Sequence, residues 1–294
     1  MLPYTRAAVS RRSVGKLNAI ETEPTNLDSP DLSRWWGQTG FADDQVRRWN
    51  IGPSAVWVER REFEWRLHRL ERPAGDDTEI EAATICNADE IDPDATLDRF
   101  AVGSNGMNLT VSALLADRPV VVRPETPLYV PSGEDVTLYV STPIWLRFEV
   151  APPNRLLAER PALRPSDTWF GPSTLVGELC YASRTSGRLK LAELPRRPHR
   201  AITPMRIRNL AKDALLLQRV KVPVQYLTLY HSPSGGLWTQ MATALREQDG
   251  DLAALQLGRR APAEAAGAKQ IAAPRQQAES HLALRAFTRL FGSA

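Results

Sequence analysis

Polar and apolar residues alternate along much of the chain, in short runs. In the first clear run, Phe63, Trp65 and Leu67 alternate with Glu, Arg and His. A period of two is typical of a β-strand with one buried and one solvated face. Similar runs, "LTVSALLA", "PVVVRP", "VTLYVS" and "IWLRFEV", follow between turn-forming Pro, Gly, Ser and Asp residues. This spacing of strands and turns predicts an all-β protein built of antiparallel β-sandwich lobes.

The residues that separate these runs suggest a domain organisation. A Pro-rich stretch near residues 151–165 separates two groups of strands, so we predict a first β lobe over residues 31–150 and a second β-sandwich lobe over residues 151–258. In the second lobe, "ITPMRIRNLAKDALLLQRVKVPV" has an immunoglobulin-like pattern. Residues 1–30 mix Arg, Ser, Pro, Asn and Asp without apolar periodicity, which predicts a disordered lead-in.

The pattern changes after Gly258. Residues 259–280 are Ala-rich and polar and are predicted to be a linker. In residues 281–294, "HLALRAFTRLF" places its apolar side chains on one face at about 100° per residue, which predicts a short basic amphipathic helix. This helix would dock on the protein's own body, on a protein partner or on an anionic membrane surface. Its expected docking residues are Leu284, Arg285, Phe287, Arg289, Leu290 and Phe291.

Composition and charge narrow the classes of partner. A chain of 294 residues can bury a core without disulfides, and Cys86 and Cys180 have no metal or redox spacing, so two reduced thiols are expected. Residues 1–150 have a net charge of −8 and residues 151–294 one of +11, a polarity that could orient the molecule toward an acidic partner or membrane surface. Because Arg outnumbers Lys 32 to 5 and no basic run contains interleaved aromatics, nucleic-acid binding is not expected.

The N-terminal arginines are not followed by an apolar signal-peptide core, and no run approaches the ~20 apolar residues of a membrane span. The expected location is the cytoplasm, with peripheral attachment to the inner membrane left open.

Residues 166–185, "SDTWFGPSTLVGELCYASRT", are the densest in polar and aromatic side chains. If this segment forms a strand, Glu178 and Arg184 lie roughly 20 Å apart and cannot meet across one substrate. We therefore interpret Asp167 as a turn cap and Trp169 as a plug at the end of the sandwich. The alternative is a carbohydrate- or small-ligand-binding pocket, or an atypical hydrolase, lined by Asp167, Trp169, Glu178 and Arg184. Trp238, beside a Gly-Gly turn, is the tryptophan expected to be partly exposed.

Searches for catalytic motifs favour a non-enzymatic protein. The chain has no GxSxG elbow, no phosphate-binding glycine loop, and no His or carboxylate spacing typical of a metal site. No catalytic residue, cofactor or metal is therefore expected. Large aromatic residues at strand positions are more typical of a core than of a stacking platform. That interpretation covers Trp35, Trp36, Trp49, Trp57, Trp65 and Trp145.

Several motifs in order, "WNIGP", "ADRPVVVRP", "PIWLRFEV", "SDTWFGPSTLVGELCYASRT", "TPMRIRN", "LLLQRVKVPV" and "LTLYHSPSGGLWT", carry a resemblance. Over about residues 32–258 the chain resembles a prokaryotic family of unknown function, whose members are associated with genes beside small-conductance mechanosensitive channels. The resemblance supplies no catalytic residues. It implies a β-rich cytoplasmic accessory protein that works with a membrane channel. The expected function is that of a non-enzymatic binding or regulatory protein with a protein partner.

Overall fold

The computed structural model describes residues 34–72, 77–103, 106–152, 154–171, 173, 175–247, 252–278 and 283–285. Within them almost all regular structure is β, which confirms the all-β prediction. Their helical residues lie in four 3-10 turns: Ala88–Glu90, Leu191–Glu193, Val224–Tyr226 and Ala263–Ala265. The predicted lead-in over residues 1–30 lies outside the described residues.

The strands are numbered in chain order. Those of the described residues are β1 (Gly37–Gly40), β2 (Val46–Ile51), β3 (Ser54–Arg60), β4 (Glu64–Glu71), β5 (Ile80–Cys86), β6 (Thr96–Ala101), β7 (Asn108–Leu115), β8 (Val120–Val122), β9 (Leu128–Val130), β10 (Asp135–Ala151), β11 (Arg155–Pro161), β12 (Ser166–Phe170), β13 (Glu178–Ala182), β14 (Arg200–Asn209), β15 (Leu215–Leu217), β16 (Val220–Val222), β17 (Leu229–His231), β18 (Leu237–Thr239), β19 (Ala242–Arg246), β20 (Leu252–Leu257), β21 (Lys269–Ala272) and β22 (Ala283–Arg285).

An antiparallel sheet of five strands, in the order β5-β2-β3-β4-β6, forms the N-terminal part of the described chain. Its apolar face is anchored by Trp49 and Trp65, both buried, and the ring of Phe41 packs against both. The predicted alternation holds for Trp65 and Leu67, which are buried. It is wrong for Phe63, which is 64% exposed because β4 begins one residue later and leaves Phe63 in the turn.

A larger sheet is organised around β10. From Asp135 to Pro143 this strand pairs with β14, and from Ile144 onward it pairs with β7, while β11 joins it from Trp145. Proline has no N–H to donate, and the change of partner falls at Pro143. The strands on both sides of β10 belong to one compact unit, so no break in pairing marks the predicted boundary near residues 151–165. Parallel pairs of β14 with β18 and β19 also occur, which the sequence did not predict.

A four-stranded sheet, in the order β12-β13-β8-β16, presents the segment that the sequence marked as chemically dense. β12 and β13 form an antiparallel hairpin, and β13 pairs in parallel with β8. In this sheet, the hairpin is therefore fixed along β13 and has β12 as its outer strand.

The predicted core tryptophans are confirmed as core residues. Five are buried and Trp36 is half-buried against the same core. The five are Trp35, Trp49, Trp57, Trp65 and Trp145. Both cysteines are free, Cys86 half-buried and Cys180 buried, as expected for reduced thiols.

The C-terminal predictions need correction. Within the predicted linker, β21 pairs with β17, so residues 269–272 belong to the sheet. The predicted helix is not supported, because Ala283–Arg285 form β22, paired with β20. In both places a neighbouring strand supplies partners for backbone N–H and C=O groups that a short Ala-rich segment could not satisfy alone. Residues 286–294 lie outside the described residues.

Because of the buried side chain of His199, we expect the protein to lose stability in acid. The side chain is buried, and burial, followed by the charges of Arg200 and Arg197, lowers the pKa of His199 to about 3. In the unfolded chain a histidine titrates near pH 6.5, so below that pH the unfolded state binds the proton first. Stability is then lost between about pH 6.5 and pH 3, by up to about 1.4 kcal/mol per pH unit.

Urea unfolding at pH 7 and pH 4.5 checks this, with His199→Gln as the comparison. The native chain is expected to lose more stability on acidification than the variant. Equal losses of stability in the two proteins would show that His199 does not cause the loss of stability in acid.

Candidate functional site

The β12–β13 hairpin carries the candidate site. In its register Asp167 faces Tyr181 and Trp169 faces Leu179. Residues paired directly across two strands lie on the same face of the sheet, and successive residues alternate between faces. These four side chains therefore share one face, and the residues between them occupy the other.

The other face of the hairpin is buried and structural. Phe170 and Cys180 are buried there, and the cationic groups of Arg219 and Lys221 lie 5.4 and 5.6 Å from the centroid of the Phe170 ring. Lys221 is itself buried and pairs with Glu178. Glu178 thus neutralises a buried ammonium group, a role whose loss would leave that charge uncompensated.

The thiol of Cys180 does not have the properties of a nucleophile. Burial, followed by the charge of Glu178, raises the pKa of Cys180 to about 12. A reactive cysteine requires the thiolate, which needs a lowered pKa and access to solvent. At neutral pH this thiol remains protonated inside the sheet.

The outward face and loop of the hairpin expose a group of large apolar side chains. Trp169 is 40% exposed, Leu175 93%, Val176 52% and Leu179 45%. We call these four residues the apolar tip. Single exposed apolar residues are common on protein surfaces, but neighbouring ones of this size are typical of an interaction site.

The loop that displays the apolar tip is held by hydrogen bonds. The Nε1 of Trp169 donates to the carbonyl oxygen of Ser173 (2.7 Å). The Oγ of Ser173 accepts from the backbone N–H groups of Leu175 (3.3 Å) and Val176 (3.2 Å). A Cβ at Gly177 would lie 2.7 Å from Trp169 Nε1, so this close approach requires glycine. Ser173 therefore links Trp169 with Leu175 and Val176.

The structure does not bring the four predicted pocket residues together. Asp167 pairs with Arg118 (3.4 Å) at the base of the hairpin, and Glu178 lies on the opposite face with Lys221. Arg184 is exposed beyond the end of β13 and donates to the carbonyl oxygen of Arg164 (2.9 Å). Asp167, Glu178 and Arg184 therefore have three different surroundings.

The expectations for two tryptophans are both wrong. Trp169 does not plug a sandwich, because Phe170 occupies the buried position next to it. Trp238 is 0% exposed and packs with Ile202 and Tyr230, although it stands near a Gly-Gly turn. The turn is at the surface, but β18 carries Trp238 straight back into the sheet.

The predicted docking residues of the tail divide between two regions. Leu284 and Arg285 belong to β22, and the rest lie outside the described residues. Those others are Phe287, Arg289, Leu290 and Phe291. Their docking role stays a prediction, although the helix expected to present them is not supported.

The described residues contain neither a metal-binding cluster nor a membrane-spanning helix. Among the described residues, no three His, Cys, Asp or Glu side chains are grouped so that they could hold a metal ion. None of the helices in this part of the chain has the length and apolar character required to span a membrane.

Sequence reasoning missed most of the apolar tip. The strand pattern of residues 166–185 gives no indication that Leu175, Val176 and Leu179 are exposed. A usable signal was present in Gly171 and Gly177, which bracket the loop and approach each other closely, since a Cβ at Gly177 would lie 2.9 Å from the Cα of Gly171. Such a pair of glycines indicates a tight loop rather than a continuous strand.

Together, the sheets and the hairpin define an all-β protein that presents a group of exposed apolar side chains on one hairpin. The chain belongs to the family described as "Protein of unknown function (DUF432)", whose model matches residues 35–291. No curated protein and no solved structure matches the chain. Membership of a family of unknown function is thus confirmed, and the match extends through most of the C-terminal segment. The association with channel genes stays a prediction.

Proposed function

We propose that this chain is a non-enzymatic binding protein that docks on a partner protein through the apolar tip. The partner that we propose is the cytoplasmic face of a small-conductance mechanosensitive channel. The observation that carries the docking role is the exposure of Trp169, Leu175, Val176 and Leu179 on one hairpin.

The chemistry of the apolar tip supports a protein partner. Trp and Arg are over-represented among residues that dominate binding energy, and here Arg219 Nη2 donates to the carbonyl oxygen of Trp169 (2.9 Å). Fully burying one Leu or Val side chain contributes roughly 1.5–3 kcal/mol. The apolar tip can therefore supply the centre of an interface, while Arg219 holds the backbone of Trp169 from the other face of the hairpin.

Hydrogen bonds among the described residues of the apolar tip support the same proposal. A flexible surface loses conformational freedom when it binds, and that loss subtracts from affinity. Here Ser173 is hydrogen-bonded to Trp169, Leu175 and Val176. These contacts reduce the freedom that the apolar tip loses when it binds a partner.

The choice of a channel rests on the family resemblance, and it can be tested directly. The small-conductance channel encoded in the same genome would be reconstituted into liposomes and co-sedimented with the purified protein. Binding to channel-containing liposomes but not to empty liposomes of the same lipids is the expected result. Equal binding to both would replace the channel with a lipid surface, and binding to neither would overturn the proposal.

A double substitution tests the docking surface. Leu175→Ser with Val176→Ser is expected to weaken binding to channel liposomes at least roughly tenfold, since truncated hot-spot residues cost more than 1 kcal/mol. The melting temperature should hardly change because both side chains are exposed. Phe63→Ser is the matched control, an equally exposed apolar residue on the β3–β4 turn. Unchanged binding by the double variant would exclude the apolar tip.

A further inference from the structure

An open cleft of about 580 Å³ lies at the base of the hairpin, away from the apolar tip. Four arginines contribute to its walls and come from segments that are distant in sequence. They are Arg69, Arg118, Arg160 and Arg164, and we call the space the arginine cleft. Sites for small molecules commonly have volumes of ~300–1,000 Å³. The arginine cleft is therefore large enough for a metabolite-sized ligand.

Two of these arginines are held in place by neighbouring groups. Arg118 pairs with Asp167, and its guanidinium lies 5.3 Å from the centroid of the Tyr181 ring. Arg160 pairs with Asp98 (3.2 Å) and donates to the carbonyl oxygen of Glu159 (3.1 Å). These contacts position the two guanidinium groups without using all of their five N–H donors each.

The other two arginines have charge to offer. Within the described residues neither Arg69 nor Arg164 forms an ion pair, and the buried Nε of Arg69 has no hydrogen-bond partner. Burial lowers the pKa of Arg69, and the charges of Asp98 and Glu71 offset this effect only in part. A partly desolvated guanidinium without a carboxylate is stabilised by an anion.

The carboxylates at the cleft leave two of its guanidinium groups without an ion pair among the described residues. The Oε1 of Glu71 accepts a hydrogen bond from the backbone N–H of Arg164 (3.1 Å), and Asp167 is engaged by Arg118. Asp94 is the remaining lining carboxylate among the described residues. With Asp98 on Arg160, the carboxylates equal the four guanidinium groups in number, so the case for an anion rests on the unused N–H donors of Arg69 and Arg164.

We infer that the arginine cleft binds a small anionic molecule bearing a phosphate or a carboxylate group. Both groups match the planar fork of an arginine, which can donate two parallel N–H···O hydrogen bonds. Arg69 and Arg164 supply the free donors, while Arg118 and Arg160 add N–H donors in fixed positions. This inference does not depend on the docking role of the apolar tip, so either can fail alone.

Titration of the full-length chain tests the inference. Inorganic phosphate, pyrophosphate and citrate would each be added while the melting temperature and the heat of binding are measured, with sodium chloride at matched ionic strength as reference. A ligand that binds only the folded state raises the melting temperature as its concentration exceeds Kd. A rise with phosphate or pyrophosphate identifies a phosphate site, and one with citrate alone a carboxylate site. No rise above chloride with any of them would overturn the inference.

Substitutions place the binding in the cleft. Arg69→Gln and Arg164→Gln are each expected to raise Kd for the bound anion at least roughly tenfold, the loss of one charge-assisted contact. Arg206→Gln is the control, because Arg206 is an arginine on β14 paired with Asp135 and does not line the cleft. Arg164 is exposed, so its variant keeps the test valid if Arg69→Gln fails to fold. Equal affinities in all variants, or an equal loss in the control, would overturn the site.

Discussion

Ending the chain at Gly258 is expected to lower the melting temperature by roughly 10 °C or more, since each kcal/mol is worth about 2–4 °C in a protein of this size. The removed segment contains β21, which pairs with β17, and β22, which pairs with β20. It also contains Ala265, buried among Tyr230 and Trp238. Losing these contacts exposes two strand edges and part of the core.

One side chain adds to this effect. Arg275 donates from Nε to the carbonyl oxygen of Leu115 (2.6 Å) and pairs with Glu159. Both contacts join the C-terminal segment to strands far earlier in the chain. The truncated protein would therefore leave Glu159 without this cation.

Thermal unfolding followed by circular dichroism measures the outcome. A chain ending at Arg285 keeps every described strand and is the matched control. It is expected to melt well above the chain ending at Gly258. Identical melting temperatures for the two would show that residues 259–285 contribute nothing to the fold and would restore the linker interpretation.

Substitution of the two tryptophans near the hairpin loops should lower the free energy of unfolding by very different amounts. Trp238→Ala is expected to cost about 3–5 kcal/mol of unfolding free energy, the usual effect of truncating a fully buried large side chain. Trp169→Ala should cost only about 1 kcal/mol, because its ring is 40% exposed and its removal mainly deletes the hydrogen bond to Ser173.

Urea midpoints of the two variants decide the matter, with the slope of unfolding checked for each. If Trp169→Ala destabilised the protein as much as Trp238→Ala, Trp169 would belong to the core after all. The apolar tip would then lose its central residue. The same Trp169→Ala variant should still weaken partner binding if the docking proposal holds.

The features that the sequence predicted correctly are those set by local patterns. In β7 the residues from Asn108 to Leu115 alternate strictly between half-buried and buried positions, as period-two alternation requires. Trp65 in β4 follows the same rule, since it is buried between the half-buried Glu64 and Arg66. Each depends only on neighbouring residues along one strand, and that information is present in a single sequence.

The features that escaped prediction depend on distant partners. β21, with the sequence Lys-Gln-Ile-Ala, has little strand character of its own and becomes a strand by pairing with β17. Trp169 is exposed because no distant segment covers it, which no local pattern records. The arginine cleft brings together side chains from β4 and β11 with others from loops. Charge convergence of this kind leaves no spacing motif in the chain.

Strand β10 determines how the protein unfolds. Its first half is hydrogen-bonded to β14, and its second half is hydrogen-bonded to β7 and β11. The two halves of one strand therefore belong to two different groups of strands. If either group of strands unfolded, β10 would lose half of its hydrogen bonds, and the other group would lose support from β10. We therefore expect the regions on its two sides to unfold together as one cooperative unit. Two fragments divided near residue 151 would each lack a neighbour for half of their central ladder, and would become native only when mixed.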